Sequence, residues 1–130
     1  MAGGSLYRLK KDNRLLNAGA YGRVFKKATR SRDKCFTVLS RMNDMELARL
    51  GLAISKKNCR FATDRNRIKR VVRESFRQHQ AELAGLDIVV INQPAAKGAA
   101  NRQLFDSMST HWQRCQQARS GDARRKDDDG

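Results

Sequence analysis

Apolar side chains recur at helical spacing in three segments, which predicts helices over 18–27, 61–83 and 101–118. Before the first segment stands Asn17, a residue type that caps helices. Within it, Tyr21, Val24 and Phe25 fall on one face. The second segment is followed by Gly85, a residue suited to ending a helix.

Three shorter segments have the pattern of strands, at 35–41, 48–55 and Asp87–Asn92. In the first, Phe36 and Val38 point to one face of a sheet, whereas Thr37 and Leu39 point to the other. The last segment is continuously apolar, which predicts a strand that is buried on both faces. A loop is predicted over Pro94–Ala100.

The second predicted strand has one face of small residues, namely Gly51, Ala53 and Ser55. Small side chains let another surface approach the backbone closely. A covering helix would explain the same pattern, and the sequence leaves both interpretations open.

The elements follow one another in the order α-β-β-α-β-α. With 130 residues, the chain has the length of one domain. The order predicts a single-domain α+β sandwich, with helices packed on a sheet, over residues 1–118. Residues 119–130 contain no apolar side chain except Ala123, which predicts a disordered C-terminal tail.

The positive charge of the chain is confined to its first three-fifths. The formal net charge is +15, from 28 basic and 13 acidic residues. Residues 1–77 hold 21 basic and 6 acidic side chains, whereas 78–118 hold 3 and 3, and 119–130 hold 4 and 4. This segregation favours a surface that binds a polyanion over a uniformly solvated basic surface.

The densest charge lies on the second predicted helix and the residues before it. Residues 56–77 hold nine basic side chains against two acidic ones, Asp64 and Glu74. A helical wheel predicts a core stripe of Phe61, Ile68, Val71, Val72 and Phe76. Beside it runs a polar stripe of Asn66, Lys69, Arg70, Arg73 and Arg77. Arg67 falls outside both stripes, next to Glu74.

Repulsion within this stripe indicates an anionic partner. Lys69–Arg73 and Arg73–Arg77 are like-charged neighbours on a helix, and only Arg70–Glu74 offers an opposite pair. Basic side chains that meet phosphates release counterions, which favours RNA binding, and Asn66 could read a 2′-hydroxyl or a base edge. An anionic membrane surface is the alternative partner for such a helix. It is disfavoured because the apolar stripe of this helix is needed for the protein core.

Several other classes of function are disfavoured. No apolar run approaches the ~20 residues that cross a bilayer, and the start has no secretory signal. The three cysteines and two histidines lack the spacing of a zinc site, so no residue is assigned as a metal ligand, and the pattern predicts reduced thiols and a cytoplasmic location. His79 and His111 lie on different predicted helices, so a stand-alone nuclease is disfavoured.

The second predicted helix contains the run Arg65-Asn66-Arg67-Ile68-Lys69-Arg70, which is continued by Arg73-Glu74-Ser75-Phe76-Arg77. This run resembles the RNR motif of the bacterial ribonuclease P protein subunit. Leu50–Lys57 resembles the strand and lysine pair that precede this motif in the family, and Asp87–Ile91 resembles the strand that follows. Tyr21–Phe25 resembles the family's first helix. The likeness covers Leu6 to about Gln117.

The resemblance implies a protein that pairs with a catalytic RNA to remove the five-prime leader of precursor tRNA. Mg²⁺, held mainly by the RNA and the substrate, then serves the hydrolysis, and no residue of this chain is catalytic. No membrane and no obligate protein partner is implied. The residues expected to bind the RNA subunit are Lys56, Lys57, Arg65, Asn66, Arg67, Lys69, Arg70, Arg73 and Arg77.

The resemblance also implies a cleft for the single-stranded leader and an unusual left-handed β-α-β crossover. The residues expected at this cleft are Lys10, Lys11, Arg14, Tyr21, Phe25, Thr37 and Leu39. Aromatic rings stack on bases of any sequence, which suits varied leaders. Many relatives carry an aromatic residue where Leu39 stands. The alternative function is a structural RNA-binding protein of ribosomal type without a role in cleavage.

Overall fold

The structure is a computed structural model that describes residue 14, residues 18–26 and residues 28–129. Its elements are α1 (Ala18–Lys26), β1 (Thr29–Arg32), β2 (Phe36–Met42), β3 (Arg49–Ala53), α2 (Ala62–His79), β4 (Leu86–Asn92), a 3-10 helix (Pro94–Gly98) and α3 (Asn101–Asp129). The predicted α+β class, the three helices and the three strands are therefore confirmed. The predicted cap of α1, Asn17, lies outside the described residues.

The strands form one mixed sheet in the order β1-β2-β4-β3. β2 pairs antiparallel with both β1 and β4, whereas β3 pairs parallel with β4. Parallel neighbours require a crossover connection, and α2 provides it between β3 and β4. The left hand that the family resemblance implies for this crossover stays a prediction.

The fourth strand, β1, was absent from the predicted order. Its sequence is Thr-Arg-Ser-Arg, and only Ser31 is buried. A strand without apolar alternation gives no periodic signal in the sequence. It forms because β2, which is apolar, offers a free edge with which residues 29–32 pair.

The two faces of the sheet carry different helices. Val38, Ile88 and Val90 belong to the large core that includes buried residues of α2 and α3. Leu39 and Val89 point the other way and pack with Val24 of α1. The predicted alternation along β2 and the double burial of β4 are confirmed, and the sheet separates α1 from α2 and α3.

Contacts between buried side chains hold α2 and α3 together. The indole Nε1 of Trp112 donates a hydrogen bond of 2.8 Å to the hydroxyl of Ser75, and both side chains are buried. The Trp112 ring also meets Phe76 edge to face, with 5.9 Å between the ring centroids. These contacts fix the rotation of α2 and therefore the direction in which its polar stripe points.

Two helix ends differ from the predicted bounds. α2 ends at His79 rather than Leu83, and the chain then turns until Gly85, whose φ of +87° favours glycine. α3 continues beyond Ala118, and the guanidinium of Arg119 donates a hydrogen bond to the carbonyl of Ala84. The prediction that residues 119–130 are disordered in solution stays a prediction. No described helix has a stretch that is long and apolar enough to cross a bilayer.

Candidate nucleic-acid interface

The polar stripe of α2 faces away from the core. The buried side chains of α2 are Ile68, Val71, Val72, Ser75 and Phe76. The side chains of Asn66 and Arg70 are exposed, and those of Lys69, Arg73 and Arg77 are half-buried. We call the five residues Asn66, Lys69, Arg70, Arg73 and Arg77 the basic ridge.

The positive charge of the basic ridge is not neutralised within the described part of the chain. None of its four cationic side chains lies within 4.0 Å of a described carboxylate, and Arg70 does not pair with Glu74 as its spacing allowed. Lys56 and Lys57, which precede α2, are likewise exposed and unpaired among the described residues. The ridge is therefore free to meet an anion.

Two arginines of the motif also make hydrogen bonds within the fold, and their predicted contact with the RNA subunit stays a prediction. The guanidinium of Arg65 donates hydrogen bonds to the carbonyls of Cys59 and Arg60, at 3.1 and 2.7 Å. That of Arg67 donates to Asn101 Oδ1 at 2.7 Å and to the carbonyl of Lys97 at 3.2 Å. Arg65 thus holds the turn before α2, and Arg67 ties α2 to the start of α3.

The prediction that Phe61 lies in the core is wrong. Its side chain is 61% exposed, and the residue is the N-cap of α2. The helical wheel assumed that the helix already included position 61, but the backbone there is extended, with φ −87° and ψ 135°. The guanidinium carbon of Arg60 lies 5.4 Å from the centroid of the Phe61 ring. The sequence interpretation placed Phe61 in the core and did not include Arg60 among the RNA-binding residues, although an aromatic residue directly before an arginine-rich helix was a usable signal.

On the opposite face of the sheet, Tyr21 of α1 lies over the small residues of β3. A Cβ built on Gly51 would come 2.7 Å from the Tyr21 ring. The Tyr21 hydroxyl accepts a hydrogen bond of 3.1 Å from the backbone N–H of Leu52. Of the two interpretations left open for this small-residue face, the covering helix is correct at Gly51.

The remaining residues predicted for the leader cleft differ in accessibility. Phe25 is 51% exposed, whereas Leu39 is 4% exposed because it packs against Val24 and Val89. Thr37 is also buried, and its hydroxyl accepts a hydrogen bond from Gln93. Tyr21 and Phe25 are therefore accessible on the surface of α1, whereas Thr37 and Leu39 of β2 are not accessible.

The predicted basic residues near the start of the chain are described only in part. Arg14 is exposed and forms an isolated parallel bridge with Leu50 of β3, the last strand of the described sheet. Lys10 and Lys11 lie outside the described residues. The bridge places one predicted cation beside the strand that Tyr21 covers.

The histidines are part of the packing. His111 is fully buried, and its Nδ1 lies 2.7 Å from the hydroxyl of Ser31. Burial lowers the pKa of His111 even though Nε2 lies 3.2 Å from a carboxylate oxygen of Asp33. Burial opposes ionisation of Asp33 as well, but hydrogen bonds from Ser107 and Phe36 leave its pKa lowered. His79 is half-buried, with Nδ1 2.8 Å from the carbonyl of Ser75.

The fold and this surface define a class of protein: a small α+β nucleic-acid-binding protein with a helix that presents an unpaired basic ridge. Comparison with known families is more specific. The family model for ribonuclease P matches residues 9–116. The chain belongs to the ribonuclease P protein family, which makes it a protein component of a ribonucleoprotein that processes tRNA.

Individual relatives agree in sequence and in structure. The ribonuclease P protein component of Thioalkalivibrio sulfidiphilus is 50% identical over 101 residues, which cover 78% of this chain and 84% of the relative. That of Vibrio cholerae is 41% identical over 110 residues, 85% of this chain and 93% of the relative. The solved structure of the Staphylococcus aureus RNase P protein matches with a TM-score of 0.71 at 31% identity, covering 75% of this chain and 90% of that one.

Proposed function

We propose that this chain binds the ribonuclease P RNA through the basic ridge, and the five-prime leader of precursor tRNA through the surface of α1. The ridge carries the proposal, because four cationic side chains of one helix have no described carboxylate partner. Contacts between such side chains and phosphates displace counterions, which makes binding favourable. The sheet lies between the two surfaces, so both RNAs can be held at once.

In this proposal the RNA subunit hydrolyses the phosphodiester bond, and Mg²⁺ held by the RNA and the substrate supports that reaction. The buried state of His111 supports this division, because an imidazole without access to solvent is not available as a general base for a bound substrate. No three described His, Cys, Asp or Glu side chains lie together as a metal site.

The aromatic residues of α1 support the leader as the second ligand. Phe25 is exposed and Tyr21 is half-buried above Gly51, so the rings offer stacking surface to unpaired bases. We also infer a cytoplasmic location, which the free thiols of Cys35, Cys59 and Cys115 support.

Reconstitution tests the proposal. The purified chain alone is expected not to cut precursor tRNA, but to increase cleavage by a bacterial ribonuclease P RNA at low Mg²⁺. Cleavage that the chain leaves unchanged would contradict the proposal.

Leader dependence separates this role from that of a structural RNA-binding protein. With the RNA subunit present, the complex is expected to bind precursor tRNA more tightly than mature tRNA, and the difference should disappear as the leader is shortened. Equal affinities for both tRNAs would favour the structural alternative.

A further inference from the structure

Folding does not account for the position of Phe61. Its side chain is 61% exposed, so it adds little to the core. It also occupies the N-cap of α2, where Ser, Thr, Asp or Asn would satisfy a free backbone N–H, and it makes no side-chain capping bond. A large apolar side chain at a site that favours a small polar one points to a binding partner.

The surroundings of the ring are cationic. The guanidinium of Arg60 lies over it, with 5.4 Å from its carbon to the ring centroid. Lys56 and Lys57 are exposed nearby in sequence, and Asp64 is the only acidic residue between positions 48 and 73. An aromatic ring among unpaired cations suits a nucleotide, which offers a planar base and a phosphate together.

Hydrogen bonds hold the segment that carries this ring. Arg65 donates to the carbonyls of Cys59 and Arg60. Asn58 Nδ2 donates to the carbonyl of Asn92 at 2.8 Å, and the side-chain oxygen of Asn92 accepts from the backbone N–H of Ser55 at 2.7 Å. A segment fixed to β4 in this way loses little entropy when it binds.

We propose that Phe61 and Arg60 form a stacking platform for an unpaired base of the ribonuclease P RNA, with Lys56 and Lys57 contacting the flanking phosphates. The inference rests on the proposed function and adds a contact to it. The platform stands at the start of α2, where the basic ridge begins, and α1 lies on the other face of the sheet. The RNA subunit is therefore its occupant rather than the leader.

Tryptophan fluorescence tests the stacking directly. The chain has one tryptophan, Trp112, which is fully buried and gives a constant background. In Phe61→Trp, addition of a transcript of the Thioalkalivibrio sulfidiphilus ribonuclease P RNA is expected to quench the new emission and to shield it from acrylamide. In the control Met45→Trp, at another exposed apolar position, the emission is expected to stay unchanged.

The affinity of the full chain for the same transcript is the second measurement. Phe61→Ala is expected to weaken binding by about 5- to 150-fold, the range that follows from ~1–3 kcal/mol per stacked base. Phe61→Tyr should restore binding because it keeps a planar ring, whereas Phe61→Leu should resemble the alanine variant. The dependence of binding on salt should stay the same in all three variants, because no charge is removed.

The outcomes separate this inference from the function on which it rests. Wild-type chain that does not bind the transcript would overturn the proposed function itself. Tight wild-type binding, together with unquenched emission from Phe61→Trp and unchanged affinity of Phe61→Ala, would overturn only the platform. Quenching that begins only when precursor tRNA is added to the assembled complex would overturn the choice of the RNA subunit as occupant.

Discussion

The ring of Tyr21 occupies the space into which a side chain on Gly51 would project, with 2.7 Å between the ring and a Cβ built on that glycine. Glycine at this position of β3 is therefore a requirement of the α1 surface. The contact also brings the Tyr21 hydroxyl to the backbone N–H of Leu52.

Gly51→Ala is expected to displace Tyr21 and weaken the binding of precursor tRNA to the assembled enzyme relative to mature tRNA. The stability cost should stay near ~1 kcal/mol, because the displaced atoms are the far end of a side chain and one hydrogen bond is lost. Urea unfolding and equilibrium binding of both tRNAs measure the two effects.

Gly22→Ala is the matched control for that substitution. An added Cβ at Gly22 meets nothing within 4 Å, and alanine favours a helix over glycine by up to ~1 kcal/mol. This variant should be at least as stable as the wild type and should keep the preference for precursor tRNA. Loss of that preference in both glycine variants would contradict the role given to the Tyr21 contact.

Arg70 and Arg67 should respond differently to alanine, although they are three residues apart on α2. Arg70→Ala is expected to leave stability within ~0.5 kcal/mol, since the side chain is exposed and unpaired among the described residues. It should lower the salt dependence of RNA binding by about one counterion.

Arg67→Ala should instead cost ~1 kcal/mol of stability, because its bonds to Asn101 and Lys97 are lost. Binding titrations at several salt concentrations, together with urea unfolding, distinguish the two; a reversed pattern would contradict the assignment.

The chain is expected to lose stability as the pH falls below about 6.5. Burial lowers the pKa of His111 in the folded protein, whereas the unfolded chain keeps the ordinary value of 6.5. Between the two values only the unfolded chain takes up the proton, so acid favours unfolding. The lowered pKa of Asp33 also favours the folded chain, but in a different pH range. That contribution to stability is lost only as the pH falls below 3.8, the ordinary pKa of the group.

Urea unfolding of the wild type at pH 7.5 and 5.5 measures this effect. His111→Asn provides the control: it should be less stable than the wild type at pH 7.5, but its stability should change less between the two pH values. A wild type with equal stability at both would show that His111 does not titrate as proposed.

Trp112→Phe is expected to destabilise the fold by ~1–3 kcal/mol, because the buried hydroxyl of Ser75 loses its 2.8 Å donor. A double-mutant cycle with Ser75→Ala measures the coupling. If the two substitutions add without coupling, the hydrogen bond contributes nothing beyond packing.

The sequence was informative where one physical pattern dominated. β4 was predicted because it is continuously apolar, and the basic ridge because like charges recur at helical spacing. β1 was missed because its four residues are polar and form a strand only when β2 supplies hydrogen bonds. Such a tertiary effect has no signal in local periodicity.

The candidate site was less predictable than the fold for the same reason. Periodicity separated the ridge from the core, but it could not show that Arg65 and Arg67 bond to neighbouring carbonyls and an amide oxygen. Nor could it place Phe61 outside the core, since that depends on the residue at which the helix begins. Leu39 was assigned to the correct face, yet α1 covers it.

The alternation along β4 has a genetic consequence. Val89 supports the α1 side and Val90 supports the side of α2 and α3, although the two are adjacent in the chain. Mutations in β4 should therefore damage the surface of α1 and the basic ridge of α2 together. Suppressor mutations confined to one helix should fail to rescue these β4 mutants. Lesions in α1 or α2, by contrast, should fall into separable phenotypic groups.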